Sequence, residues 1–287
     1  MKSNKWKFLL TGAATLTLLT ACTQASSQSA TTNNTAQTTA TSTSNSKTDS
    51  SNYFTDKDKD SSYDESKAST VKLSGSSASV SGDGVAVSGS TVTISKAGTY
   101  VISRESDGVQ IKVEAGDSDD VHIVLKGVTM TNTNAPISAT KAGHVYLTLA
   151  DGTTNTLSDS SSNNDEDADA VIFSKGDLTI NGSGTLNIDA KKNNGIKAND
   201  TLHITGGTYK ITAVGDAFNV NDELNITGTT MTIDADEDAV KVDNDEDTSV
   251  GTMYLSAKVT NLPMNQLFRN QLEAMDPTNR TELVRAR

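Results

Sequence analysis

Thr185-Leu-Asn-Ile188-Asp-Ala190 returns as Thr208-Tyr-Lys-Ile211-Thr-Ala213 and again as Thr230-Met-Thr-Ile233-Asp-Ala235, at spacings of 23 and 22 residues. Two other segments recur with it. Leu178-Thr-Ile180-Asn-Gly182 reappears as Leu202-His-Ile204-Thr-Gly206 and Leu224-Asn-Ile226-Thr-Gly228. Asp169-Ala-Val-Ile-Phe-Ser174 reappears as Asn194-Gly-Ile-Lys-Ala-Asn199, Asp216-Ala-Phe-Asn-Val-Asn221 and Asp238-Ala-Val-Lys-Val-Asp243. Each alternates apolar and polar residues with a period of two, the pattern of a strand and not of a helix. Three strands in about 22 residues enclose no core alone, but stacked units gather their apolar positions into columns. Those columns would be Leu178/Leu202/Leu224, Ile188/Ile211/Ile233 and Phe173/Ala198/Val220/Val242. The predicted fold is therefore all-β, a right-handed parallel β-helix with about 22 residues per coil.

Toward the N-terminus, Thr91–Ile94, Thr99–Ser103, Val109–Val113, Val121–Leu125 and Val145–Leu149 read as further strands, so the β domain covers residues 53–259. Residues 23–52 are Ser, Thr, Ala, Gln or Asn except for Lys47 and Asp49. Such a tract buries too little apolar area to offset chain entropy, and 22–52 is expected to be a disordered tether. Residues 1–21 carry Lys2, Lys5 and Lys7 ahead of an apolar run, Phe8 to Leu19, too short to span a bilayer. The run ends in Leu19-Thr-Ala-Cys22, which resembles a bacterial lipobox; that implies diacylation of Cys22 and anchoring at the extracellular face of the cell membrane. Residues 260–287 hold four of the five arginines and two of the three prolines, with helical periodicity over Met264–Met275. This tail reads either as a capping helix or as a foreign end on a shortened reading frame.

Acidic residues number 36 against 24 basic, a net charge of −12 that becomes −15 once the three lysines of the leader are removed. Such a surface disfavours nucleic acid and attracts cations. One cysteine excludes an internal disulfide framework and a Cys-based zinc site. No nucleophile elbow, P-loop or dinucleotide fingerprint is present, and His122, His144 and His203 lack ligand spacing and read as exposed bystanders. A monomer is expected.

The segments Tyr53-Phe-Thr-Asp56, Gly98-Thr-Tyr-Val-Ile-Ser103, Leu149-Ala-Asp-Gly-Thr-Thr-Asn155 and Asp177-Leu-Thr-Ile-Asn-Gly182 resemble bacterial β-helical carbohydrate-binding-domain lipoproteins, similar in fold to pectate lyases. The resemblance implies binding of cellulose or acidic sugars with calcium. Arg104 stands where glycine is expected.

Asp169, Asn194, Asp216 and Asp238 share one position in four successive coils. With strands about 4.8 Å apart, they are either Asx-turns or a ladder of oxygen ligands for calcium. Asp243-Asn-Asp245-Glu-Asp247 has the spacing of a calcium loop or of solvated charge, and Asp165-Glu-Asp167-Ala-Asp169 lies in a loop beside the ladder. Asp56-Lys-Asp58-Lys-Asp60 imitates an EF-hand start, but Ser61 and Lys67 replace the needed glycine and glutamate, leaving a solvated segment. Between inward positions of the third strand lies an outward column, Ile172, Lys197, Asn219 and Lys241, with Lys197 and Lys241 roughly 10 Å apart. It reads as a polysaccharide-binding stripe, as the base of a calcium-dependent lyase, or as a solubilising face. Tyr209 has core parity, and aromatic platforms are scarce. The expected function is non-catalytic, calcium-assisted binding of an acidic polysaccharide, with calcium-dependent pectate-type lyase activity and a structural surface spacer or adhesin as alternatives.

Overall fold

A computed structural model describes residues 53–244, 247 and 249–260, and the backbone of Leu283–Ala286. The leader, Cys22, the tether to residue 52, Asp245 and the Met264–Met275 segment lie outside the described residues. In chain order the elements are a one-turn helix α1 (Asp56–Lys59) and strands β1 (Ser69–Ser74), β2 (Ser77–Ser81), β3 (Val85–Ser88), β4 (Thr91–Ile94), β5 (Gly98–Asp107), β6 (Gln110–Glu114) and β7 (Asp120–Thr131). Next come β8 (Ile137–Lys141), β9 (His144–Leu149), β10 (Thr154–Ser158), β11 (Ala170–Ser174), β12 (Leu178–Gly182), β13 (Thr185–Ala190) and β14 (Asn194–Ala198). The last are β15 (Thr201–Ile204), β16 (Thr208–Ala213), β17 (Phe218–Val220), β18 (Glu223–Ala235), β19 (Val240–Val242), β20 (Thr252–Thr260) and β21 (Leu283–Ala286).

The period-two pattern sets the pairing. Leu178 lies opposite Leu202, and Leu202 opposite Leu224; Ile188, Ile211 and Ile233 line up in the same way. Ala198, Val220 and Val242 form the third column. All three columns pack into one core with Tyr209, which is buried as its parity predicts. Phe173 does not join its column. Ser174 faces Ala198, Ile172 faces inward opposite Ile196, and Phe173 lies opposite Lys197, packed on Ala135 and Ala168. The sequence repeat aligns Asp169 with Asn194 at a spacing of 25, but the strands pair at 24, Ala170 opposite Asn194, and a shift of one exchanges the two faces.

The expectation of an open β-helical solenoid is overturned by the way the sheet closes. Parallel pairing runs from β7 through β10, β13, β16, β18, β15, β12 and β9 and returns to β7, a closed eight-stranded parallel barrel. The cause lies in two long strands. β7 pairs with β9 over Asp120–Leu125 and with β10 over Thr129–Thr131; β18 pairs with β15 over Glu223–Ile226 and with β16 over Thr230–Ala235. Each turns a corner without ending. Gly127 (φ +70°) and Gly228 (φ +67°) stand at those corners in the left-handed region that glycine enters without steric cost. β1, β2 and β5 extend the sheet beyond β7, while β19, β17, β14, β11, β8, β6, β4 and β3 form a second, open sheet whose inward residues join the same core.

The corner of β7 has to satisfy backbone donors that no strand pairs. Asn155, fully buried on β10, accepts the N–H groups of Gly127 and Val128 at 3.0 and 3.1 Å and donates to the Thr185 carbonyl at 3.2 Å. Asn155→Ala would strand those groups and should destabilise the domain by about 1–3 kcal/mol in urea unfolding. An unchanged midpoint would show that Asn155 does not hold the corner.

Candidate functional site

The two sheets present outward faces of different kinds. On the barrel, His122, Tyr146, Thr179, His203, Asn225 and Tyr254 lie side by side across successive strands. This row holds aromatic and amide groups suited to ligand binding, but the chain's own residues 53–60 cover it. Tyr53 stacks on Tyr254 with centroids 4.2 Å apart, and Phe54 meets both His203 and Tyr254 edge-on. Lys57 pairs with Asp120 and sits over the Tyr146 ring. Asn181 donates to the carbonyls of Asp58 and Asp60, Thr205 to that of Asp58, and Asn225 to that of Tyr53.

Asp58 is the anchor of this strap. Only 2% exposed, it is not the solvated residue its acidic run suggests. Thr55 and Asp58 form a capping box around α1, and the other carboxylate oxygen accepts the Thr179 hydroxyl at 2.6 Å. His203 Nδ1 lies 3.2 Å from Asp58, a charge contact whose angle is not that of a hydrogen bond, and Nε2 faces Glu223 at 3.7 Å. Burial opposes a charged imidazole, but the two carboxylates outweigh it and push the His203 pKa up to about 9. Burial likewise works against the Asp58 carboxylate, yet the His203, Thr179 and Thr55 contacts hold it well below the usual range. His122 and His144 are also half-buried, each 2.7–2.9 Å from a threonine hydroxyl, and burial lowers the pKa of both. The three histidines are thus packed parts of the strap's seat. Alternate outward positions on the repeats carried the only sequence signal for this.

The second sheet's outward column runs Thr93, Lys112, Ser138, Phe173, Lys197, Asn219 and Lys241. Phe173, not Ile172, is its member, and the preceding loop packs Ala168 over it. Beyond that loop the column opens: Lys197 and Asn219 are half-buried and Lys241 is exposed. Lys197 Nζ donates to Asp169 Oδ1 at 2.7 Å, Asn193 donates to Asp169 Oδ2 at 2.5 Å, and Asn219 donates to Asp216 Oδ2 at 2.7 Å. The ladder and the lysine column are therefore one hydrogen-bonded strip. Lys197 is engaged as an ion-pair donor, not placed as a proton acceptor.

In the ladder, Asn194 Oδ1 accepts the Asp216 N–H at 3.1 Å and Asp216 Oδ1 accepts the Asp238 N–H at 2.9 Å, so these two rungs bond the backbone of the next, while the Asp169 carboxylate takes the Lys197, Asn193 and Asn194 side chains. Among the described residues no group of three or more His, Cys, Asp or Glu side chains is arranged to hold a metal. In the run before Asp169, Asp165 accepts the N–H groups of Asp167 and Ala168. The Asp243 N–H bonds the Val220 carbonyl, and Asp247 accepts from the N–H and hydroxyl of Ser249. Asp245, between them, lies outside the described residues.

The second sheet thus carries an outward strip of lysine and amide donors in which ladder carboxylates brace Lys197 and Asn219. Residues 88–262 match the family described as carbohydrate-binding domain-containing protein, and the chain belongs to that family. It is 38% identical over 125 residues to a carbohydrate-binding domain-containing protein of Acetivibrio thermocellus, a match covering 42% of this chain and 44% of that relative's length. It is also similar to the solved structure of a polysaccharide lyase-like protein from C. thermocellum, a gadolinium derivative. That likeness has a TM-score of 0.63 and 34% identity, and covers 65% of this chain and 78% of the other.

Two outcomes follow from these contacts. Because the His203 pKa is raised, the stability it lends the strap is complete below about pH 6.5 and is lost as pH rises through about 9. The loss should be on the order of 2 kcal/mol in unfolding measured from pH 6 to 9.5 and should vanish in His203→Gln; an equal alkaline loss in that variant refutes the pairing. For the ladder, Asp216→Ala should cost about 1–3 kcal/mol and Asp216→Asn less, since an amide oxygen still accepts the Asp238 N–H. Calcium should leave these melts where chelator puts them. A calcium-induced rise present in the wild type and missing in Asp216→Asn would restore the ladder as a metal site.

Proposed function

We propose that the protein holds a polysaccharide on the Lys197–Asn219–Lys241 strip and does not cleave it. The observation that carries this reading is the Lys197–Asp169 pair. A half-buried carboxylate fixes the direction of an ammonium on an outward face that the chain leaves open, which favours recognition over proton abstraction. Neighbouring strands place the three donors about 4.8 Å apart, so the strip extends roughly 10 Å, a length suited to consecutive units of an extended glycan. The exposed Lys241 ammonium, beyond the Lys197–Asp169 pair, favours a polymer bearing carboxylates over a neutral one, against the negative charge of the rest of the surface. The Leu19-Thr-Ala-Cys22 sequence supports a lipid-anchored location outside the cell, with residues 23–52 as the tether.

Binding to polygalacturonate beads should fall at least tenfold in a Lys197→Ala, Lys241→Ala double variant and should persist in chelator. Wild-type protein that binds no glycan sinks the proposal, and unsaturated products accumulating at 235 nm, about the absorbance of a conjugated uronate, replace it with a lyase. In the same preparations Cys22→Ser should move the protein from the membrane fraction to the medium.

A further inference from the structure

The corner that β7 makes at Gly127 and β18 at Gly228 is made in β5 by Arg104, with φ +76°. The sheet register shifts at that point: Ser103 lies opposite Lys126 and Arg104 opposite Val128, with Gly127 between. Arg104 is the one described non-glycine residue in the left-handed region, where a Cβ crowds the following carbonyl. Arg104 and Glu105 are exposed, and among the described residues neither side chain makes an ion pair or hydrogen bond. Both line an open groove of about 430 Å³ with Ser74, Gly75, Gly127 and Thr129. At Gly75 and Gly127 an added Cβ would meet nothing within 4 Å, so bare backbone leaves the groove clear on both sides of Arg104.

We propose that this groove is a second glycan site, specific for an uncharged sugar unit and separate from the lysine strip. The inference rests on the carbohydrate-binding reading. A strained residue whose side chain serves no internal contact points to a role outside the fold. The guanidinium is a planar fork that donates to two adjacent oxygens at once, the spacing of vicinal ring hydroxyls. Glu105 supplies the acceptor for hydroxyl hydrogens, and the Ser74 and Thr129 hydroxyls serve as either partner. Arg104 and Glu105 together bring no net charge to the groove, so it favours neither a uronate nor an amine, whereas the strip adds the exposed Lys241 ammonium beyond its Lys197–Asp169 pair.

The test titrates the full chain with soluble neutral tetrasaccharides (β-1,4-glucan, β-1,4-mannan and β-1,4-xylan) and follows Arg104 Nε–H by NMR, assigned by its loss in R104G. At least one should shift that resonance, and R104G and R104K should each weaken its binding tenfold or more. R104G should also melt higher than wild type, because glycine relieves the corner. The Lys197→Ala, Lys241→Ala variant should bind the neutral tetrasaccharide as wild type does. The proposal is overturned if R104G binds unchanged, if R104G melts lower than wild type, or if no tetrasaccharide shifts Arg104. Failure of the strip appears separately, as unchanged polygalacturonate binding in the lysine variant.

Discussion

At two places a strand of this protein changes partners without stopping. β7 and β18 each carry their backbone hydrogen bonds from one neighbour to another through a left-handed glycine, and buried Asn155 takes up the donors that the β7 corner releases. Closure of the barrel follows from those corners. Once it is closed, every coil's leucine and isoleucine columns face one interior and each ring strand has a partner on both sides, which removes free edges from that part of the sheet.

The closed barrel leaves outward rows, and the chain treats them differently. One is sealed by its own residues 53–60 through Asp58, His203 and stacked tyrosines, which turns groups of binding character into structural cement. The other keeps lysine and amide donors at the surface and braces Lys197 and Asn219 with the carboxylates of the ladder. Part of the chain's acidity is engaged internally, since ladder carboxylates hold neighbouring backbone, Asn219 and Lys197. This division leaves one outward row with oriented donors in a chain that belongs to a carbohydrate-binding family.

The strip and the Arg104 groove differ in the charge they present, and each rests on a distinct physical device. In the strip a carboxylate orients a flexible ammonium; in the groove a constrained backbone orients a rigid guanidinium. A surface offering both would engage a chain of mixed composition at two kinds of unit.

Alternation at Leu178, Leu202 and Leu224 and at Ile188, Ile211 and Ile233 determined, from sequence alone, the strands, their parallel stacking and most of the core, because side-chain parity is a local property of extended backbone. The same parity placed Lys197, Asn219 and Lys241 in one outward row. Closure was not legible, because a strand that turns a corner has the same alternation as two strands in sequence. The 25-residue repeat hid the true register of Phe173 for want of a local marker of the inserted residues. Above all, Asp58 and His203 are 145 positions apart in the numbering of the chain, and no pattern along it says that they meet. Only the tertiary structure, by laying α1 across the barrel, decided which outward row residues 53–60 cover.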